Sequence, residues 1–351
     1  MKKSLVALAL TGAFGAAHAQ SSVTIYGTVD AGVSRTTHTA NDSTQIGKRD
    51  NNKLGFRGVE DLGNGLKALF QLEIRYEPDT GTFENVSRPL FQGQSRVGLQ
   101  GSFGTVRLGR GLSAFQESVI AFEPWSGLPA VAGYQTNLQV AGYTSDPLGP
   151  AGNSANRFSN ALFYNTPVWN GFQVNFTVAT KEANGNPAII GRGTAAAPQY
   201  AANSEASANP YSVSATYTNG PFAAMVAHER NGVETKLSSV AASYKPIPAL
   251  KLMASYQTQD QGHTLAINPD TDAWVIGANY TVGPGKWLFG YGQKTPDGVI
   301  KTKQVSVGYE HSLSPRTYLY LDLAQKKTPF VPTARTDVDQ NHYALGIHHN
   351  F

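Results

Sequence analysis

The chain of 351 residues contains no cysteine, which excludes a disulfide scaffold, a thiolate metal site and a thiol nucleophile. Charge is scarce: 15% of residues are Asp, Glu, Lys or Arg, against about 25% in an ordinary soluble domain. The surface must therefore be polar through Ser, Thr, Asn, Gln and Gly. No Lys/Arg run follows residue 3, and the formal net charge of +4 is too weak to imply nucleic acid. Beyond the N-terminus no stretch approaches 18 consecutive apolar residues, so no membrane-crossing helix is expected. Aromatics at 10% and apolar residues at 40% argue against disorder.

The first nineteen residues read as an export signal. Met1-Lys2-Lys3 is basic, Leu5 to Ala17 is mostly apolar, and Ala17-His18-Ala19 offers small residues for cleavage before Gln20. Losing Lys2 and Lys3 leaves 26 basic against 24 acidic residues, a net of +2. Residues 20–351 are then expected to form one domain.

Apolar residues recur at a period of two. Val23, Ile25, Val29 and Val33 alternate with Thr24, Tyr26, Thr28 and Asp30. Leu66, Ala68, Phe70, Leu72 and Ile74 alternate with Lys67, Gln71, Glu73 and Arg75. Phe172–Val178, Leu250–Tyr256, Trp274–Tyr280, Val305–Tyr309 and Tyr343–Phe351 repeat the pattern. Each predicts a strand with one apolar face. Many such strands without helical stretches between them imply an antiparallel all-β protein.

Two all-β architectures have this pattern: a soluble sandwich with a dry inside, and a transmembrane antiparallel β-barrel with a dry outside and a wet lumen. Apolar faces that end in Tyr76, Tyr217, Tyr244, Tyr256, Tyr280, Tyr309 and Phe351 favour the barrel. Aromatics at strand ends suit the two lipid–water interfaces. Short turns such as Gly63-Asn64-Gly65 alternate with long connections at residues 38–52, 111–156 and 180–210, the asymmetry expected of short periplasmic turns and long external loops. Chain length predicts about 16 strands.

Several stretches resemble the trimeric general porins of Gram-negative bacteria, in their β-proteobacterial branch. They are Ser22–Gly32, Leu54–Ala68, Phe70–Glu73, Arg96–Leu99, Phe103–Arg110 and the C-terminal Leu345–Phe351. The resemblance implies a homotrimer in the cell outer membrane, surrounded by lipid bilayer. It also implies passive diffusion of small hydrophilic solutes and ions, an inward-folded third loop at 111–156, and Phe351 as the residue presented to the outer-membrane assembly machinery.

A channel needs no nucleophile, since radius and field set what passes. No catalytic residue, metal or cofactor is expected, and no P-loop, Rossmann or Gly-x-Ser-x-Gly motif is present. Asp270-Thr271-Asp272 lacks the spacing of a calcium loop. His348 and His349 are neighbours in a strand and face opposite sides.

Strand parity directs Arg57, Lys67, Arg75, Arg96, Arg107 and Arg157 into the lumen. Charges on the lipid face would cost about 2–4 kcal/mol each at the midplane. Arg110 points outward by parity but ends its strand beside the long loop, so it joins the candidate basic wall. Glu117 and Glu123 in the third loop are the candidate acids opposite. The inward excess of positive charge predicts a weak to moderate anion preference.

Overall fold

The computed structural model describes residues 22–39, 42–86, 88–147, 156–180, 189–194, 197–200, 208–232, 234–261, 269–329 and 337–351, with backbone alone at 189–194, 197–200, 329 and 337. The proposed signal lies outside them. The described chain is dominated by strands. They run in order as β1 (Ser22–Thr36), β2 (Gln45–Gly47), β3 (Lys53–Gly63), β4 (Leu66–Arg75), β5 (Gln94–Gly101) and β6 (Gly104–Leu112). After the third loop come β7 (Arg157–Asn165), β8 (Phe172–Ala179) and a separate two-stranded sheet, β9 (Ile189–Thr194) and β10 (Ala197–Tyr200). The rest are β11 (Tyr211–Asn219), β12 (Phe222–Arg230), β13 (Lys236–Ile247), β14 (Leu250–Asp260), β15 (Thr271–Val282), β16 (Gly285–Pro296), β17 (Thr302–Ser314), β18 (Thr317–Pro329) and β19 (Asp337–Asn350).

Leaving aside the three-residue β2, sixteen strands pair antiparallel with their neighbours. β1 pairs β19 from Thr28↔Asn350 to Thr36↔His342, which closes the sheet into a barrel and removes both edges. The final residue helps the closure. Phe351 and Gly27 exchange both backbone hydrogen bonds at 3.1 Å.

Alternation sets the two faces. On β1, Val29 and Val33 are exposed toward lipid while Thr28 and Asp30 are buried inside. On β4, Phe70 faces out; Lys67, Gln71, Glu73 and Arg75 face in. The apolar residues that a soluble protein would bury are therefore on the outer surface, Ile25 at 59% and Leu345 at 61% exposure among them. Connections differ at the two ends. At one end the hairpins are tight: Gly63, Asn64 and Gly65 all take positive φ (86°, 52° and 77°), a path that only Gly and Asn follow readily. At the other end lie the long loops.

The two larger buried apolar clusters are formed where the third loop meets the inner wall; a third joins Phe158, Ala161, Phe163 and Ala179 on β7 and β8. The loop opens with helix α1 (Ala114–Val119), continues through a 3-10 turn at Ile120–Phe122, and later makes a π-helical turn at Gln135–Gln139. Phe115, Val119, Phe122, Val140 and Tyr143 pack on Met225, Ala227, Leu237 and Ala241 of β12 and β13. Trp125, Tyr134 and Leu138 pack on Val275, Leu288 and Ala324 of β15, β16 and β18. Burying each of these large side chains contributes about 1.5–3 kcal/mol, enough to hold a long loop inside a wet lumen.

Candidate functional site

Loop 3 is fixed along one half of the inner wall by small polar side chains at inward positions. The Ala114 N–H donates to Thr177 Oγ1 (3.1 Å), and the Phe115 N–H to Ser212 Oγ (2.8 Å). Ser118 and Ser214 share a hydrogen bond of 2.7 Å. Gln139 Nε2 donates to Ser255 Oγ (2.7 Å), Asn279 Nδ2 to the Pro124 carbonyl (3.2 Å), and Gln304 Nε2 to the carbonyls of Val131, Ala132 and Gly133 (3.1 Å each). Lys251 Nζ reaches the Ala121 carbonyl from below (2.6 Å). These bonds run from β8 to β17, and most of them satisfy backbone groups of the loop.

Space for the loop comes from missing side chains. Gly290 faces Tyr134, where a Cβ would meet ring carbon Cε2 at 2.3 Å; Gly277 faces Pro124 Cγ, where a Cβ would lie at 2.1 Å. The two glycines are directly opposite each other across β15 and β16.

The opposite wall, β3 to β6, carries a ladder of cations. Arg57 pairs with Gln71, and Gln71 with Arg96, so the two arginines lie on one row two strands apart, about 10 Å. Arg107 is one inward row nearer the tight turns, beside Gly98. Lys67 is a further row down, beside Gln100. Arg75 and Lys53 face each other two inward rows above Arg57. Together they form a ladder about 27 Å long along the strands. Aromatic rings brace it: Arg57 lies over Tyr26 at 5.3 Å, and Arg96 and Arg107 lie over Phe163 at 5.7 and 5.9 Å.

Glu117 of α1 meets this wall. Its carboxylate accepts from Arg96 NH1 at 3.1 Å and lies 3.5 Å from Arg107 NH2. Arg96 also donates to Gln71 Oε1, and Arg107 to Asn165 Oδ1. The structure thus brings together Arg57, Arg96, Arg107, Lys67 and Glu117, with Arg75 above them beside Glu73 at 3.5 Å.

Three candidates are placed elsewhere. Glu123 is 1% exposed and does not oppose the basic wall; it accepts from the N–H groups of Gly127 (2.8 Å) and Tyr134 (3.0 Å) and ties loop 3 to itself. Burial pushes its carboxyl up and those N–H groups pull it back. Arg157 donates to the Gly93 carbonyl (2.7 Å) and Asn156 Oδ1 (2.6 Å); Arg110 donates to the Gln92 carbonyl (3.0 Å) and Ser159 Oγ (2.6 Å). Both are buried struts under the connection that precedes β5. Parity fails for Arg157 because the β6–β7 register shifts between Gly109 and Gly111 and Asn160 takes φ 49°, whereas Arg110 keeps the outward position, opposite Ser95, that parity gave it.

Sequence reading missed a second charged cluster. Arg49, in the long first connection, turns into the barrel and is 2% exposed. Its guanidinium pairs with Asp322 (2.9 Å) and Glu310 (2.8 Å) and lies 4.9 Å from the Tyr320 ring centre. Asp322 also accepts the Trp125 indole N–H at 3.0 Å. Asp30 accepts from the Arg49 backbone N–H (2.6 Å) and Tyr320 (3.1 Å), and lies 3.0 Å from His348. Alternation on β17 and β18 points Glu310 and Asp322 inward and could have found them; nothing in the alternation places a loop arginine.

His348 and His349 do face opposite sides, toward Asp30 and Thr317 respectively. Among the described residues no helix is long and apolar enough to cross a membrane, and no cluster of three metal-ligating side chains occurs.

A closed sixteen-strand barrel, apolar outside, with a loop pinned across a charged lumen, defines a diffusion channel of the outer-membrane type. Residues 4–329 match the Gram-negative porin family, and the chain belongs to it. It is 32% identical, over the whole of both chains, to outer membrane porin protein 32 of Delftia acidovorans. It is 29% identical to the major outer membrane protein P.IB of Neisseria lactamica, with 90% of this chain and 91% of that one aligned. Among solved structures it is similar to the anion-selective porin from Comamonas acidovorans: TM-score 0.75, 28% identity, 94% of this chain and all of that one covered. The protein is an outer-membrane porin, a channel and not an enzyme.

Proposed function

We propose that this porin passes small hydrophilic solutes with a weak to moderate preference for anions, and that the β3–β6 ladder facing Glu117 sets that preference. The observation that carries this reading is local imbalance. Lys53, Arg57, Lys67, Arg75, Arg96 and Arg107 face the lumen on four adjacent strands, against Asp61 and Glu73 on the same strands and Glu117 from the loop. Water near such a wall holds a positive potential that draws anions and repels cations. The similarity to an anion-selective porin supports the same sign. Arg110 and Arg157 act on this wall through position, by holding the connection above it. The test is the reversal potential in a planar bilayer under a salt gradient; cation selectivity would overturn the proposal.

Three further assignments follow, the first supported by the basic, apolar and small-residue pattern of the N-terminus and the other two by the resemblance to trimeric porins. Residues 1–19 are the export signal, the working unit is a homotrimer, and Phe351 is presented to the assembly machinery. Heat-modifiable migration in detergent gels tests the second, and loss of membrane insertion on deletion of Phe351 tests the third.

A further inference from the structure

On the outer surface of β11 to β14, in the half nearer the external loops, lies a concavity of about 460 Å3. It is lined mainly by Val213, Ala215, Val226, Val240 and Tyr256, with His228 and Ser238 at its upper end. Register places these residues in outward rows. Ala215, Val226, Val240 and Tyr256 form one, and Val213, His228, Ser238 and Thr258 form the row above. The row below, outside the concavity itself, is Tyr217, Ala224, Ala242 and Ala254, whose three small side chains keep the surface low toward the membrane centre.

The row that closes the top is Tyr211, Arg230, Lys236 and Asp260. Arg230 and Lys236 are directly opposed across β12 and β13, an arrangement of like charges that an anion between them would stabilise. Lys236 pairs with Asp260 at 3.0 Å, where both are half exposed. Arg230 lies over the Tyr211 ring at 5.0 Å, and its Nε is shielded from water without an acceptor among the described residues. His228 is bonded to Ser238 at 2.9 Å just beneath. Only five positions separate Arg230 from Lys236 in the chain.

From the Arg230–Lys236 row to the Ala224–Ala242 row is about 20 Å along the strands. The hydrocarbon of one leaflet is about 15 Å deep. A dry concavity, continued below by small side chains over the depth of one leaflet and capped by cations at the interface, matches an acyl chain below a phosphate. We propose that this face holds one molecule of a phosphate-bearing, acylated lipid of the outer leaflet. Arg230 and Lys236 would take the phosphate, and a chain would lie against Val226, Val240 and the alanine row. A second copy of this chain fits less well, because the same rim would have to desolvate its cations against an apolar face.

The test uses the full-length trimer in detergent, freed of native lipid, and native mass spectrometry with the outer-leaflet lipid A of a Gram-negative bacterium as probe. One bound lipid per protomer is expected for the wild type. Arg230→Gln with Lys236→Gln should weaken binding by about twentyfold or more, since each surface cation contributes about fivefold toward an anionic headgroup. Ala215→Phe, which fills the trough and leaves the cations in place, should also weaken it. The dephosphorylated probe should bind wild type and the double variant equally. Single-channel conductance of the variants should match wild type, because these side chains face away from the lumen. Equal binding of the phosphorylated lipid to all three proteins would overturn the proposal. So would dissociation of the trimer by the double variant with lipid binding intact, which would assign the face to a second copy instead.

Discussion

Replacing Glu117 by Gln removes the carboxylate that bridges Arg96 and Arg107 while keeping the side-chain volume. A unit charge about 6 Å from a permeating ion in a water-filled lumen contributes about 0.7 kcal/mol. Screening in 0.1 M salt, with a Debye length of about 10 Å, reduces this to about 0.4 kcal/mol. That is about a twofold change in occupancy, with opposite sign for anions and cations. The anion-to-cation permeability ratio of Glu117→Gln should therefore rise about fourfold over wild type. It should be read from zero-current potentials in a tenfold potassium chloride gradient. The carboxylate is partly solvated (24% exposed), so its ion pairs contribute about 1 kcal/mol or less and thermal stability should barely move. Lowering the salt should enlarge the effect as screening weakens. A ratio that falls or stays within 20% of wild type at about 0.1 M salt would refute the reading that Glu117 acts on the field through which ions pass.

The mirror-image change, Arg96→Gln, should lower the same ratio by a similar factor, measured the same way. Trp125→Phe removes the indole donor to Asp322 and leaves a buried carboxylate oxygen short of a partner; a loss of about 1–3 kcal/mol is expected, seen in thermal unfolding and as noisier open-channel current. Gly290→Val places carbon atoms where the Tyr134 ring lies; overpacking of about 1–3 kcal/mol should displace loop 3 and change single-channel conductance, with the barrel retained by circular dichroism. Deleting Phe351 removes the paired backbone bonds to Gly27 at the closing seam; the yield of heat-modifiable protein in the membrane fraction should fall severalfold while total expression holds.

Much of the architecture is legible in the alternation because a strand in a barrel has two solvents. Lipid on one side and water on the other force the period of two through β1, β4, β14 and β17, and the faces assigned to Phe70, Arg75, Lys251 and Val305 follow. Where the backbone departs from ideal pairing, the rule stops. The irregular register near Gly109 and Asn160 took Arg157 off its inward parity, and it joins the outward Arg110 as a strut for the connection before β5. Loops carry no such rule. Glu123 and Glu117 are six residues apart and similar in sequence context, yet one is enclosed by backbone N–H groups and the other bridges two arginines.

The sequence by itself determined the all-β class, the barrel, the inward side of most charges and the family, since each depends on local periodicity or on contiguous motifs. Tertiary structure alone decided what the charges meet. Arg49 pairs with Asp322 across 273 positions of chain, and Gln304 holds carbonyls more than 170 positions away. Such contacts exist because closing β1 on β19 curves sixteen strands around a loop, and curvature of that kind has no signature in any one strand. The physical reason is that each strand's pattern answers only to the solvent on either side of it, whereas the field in the lumen is a sum over opposite walls.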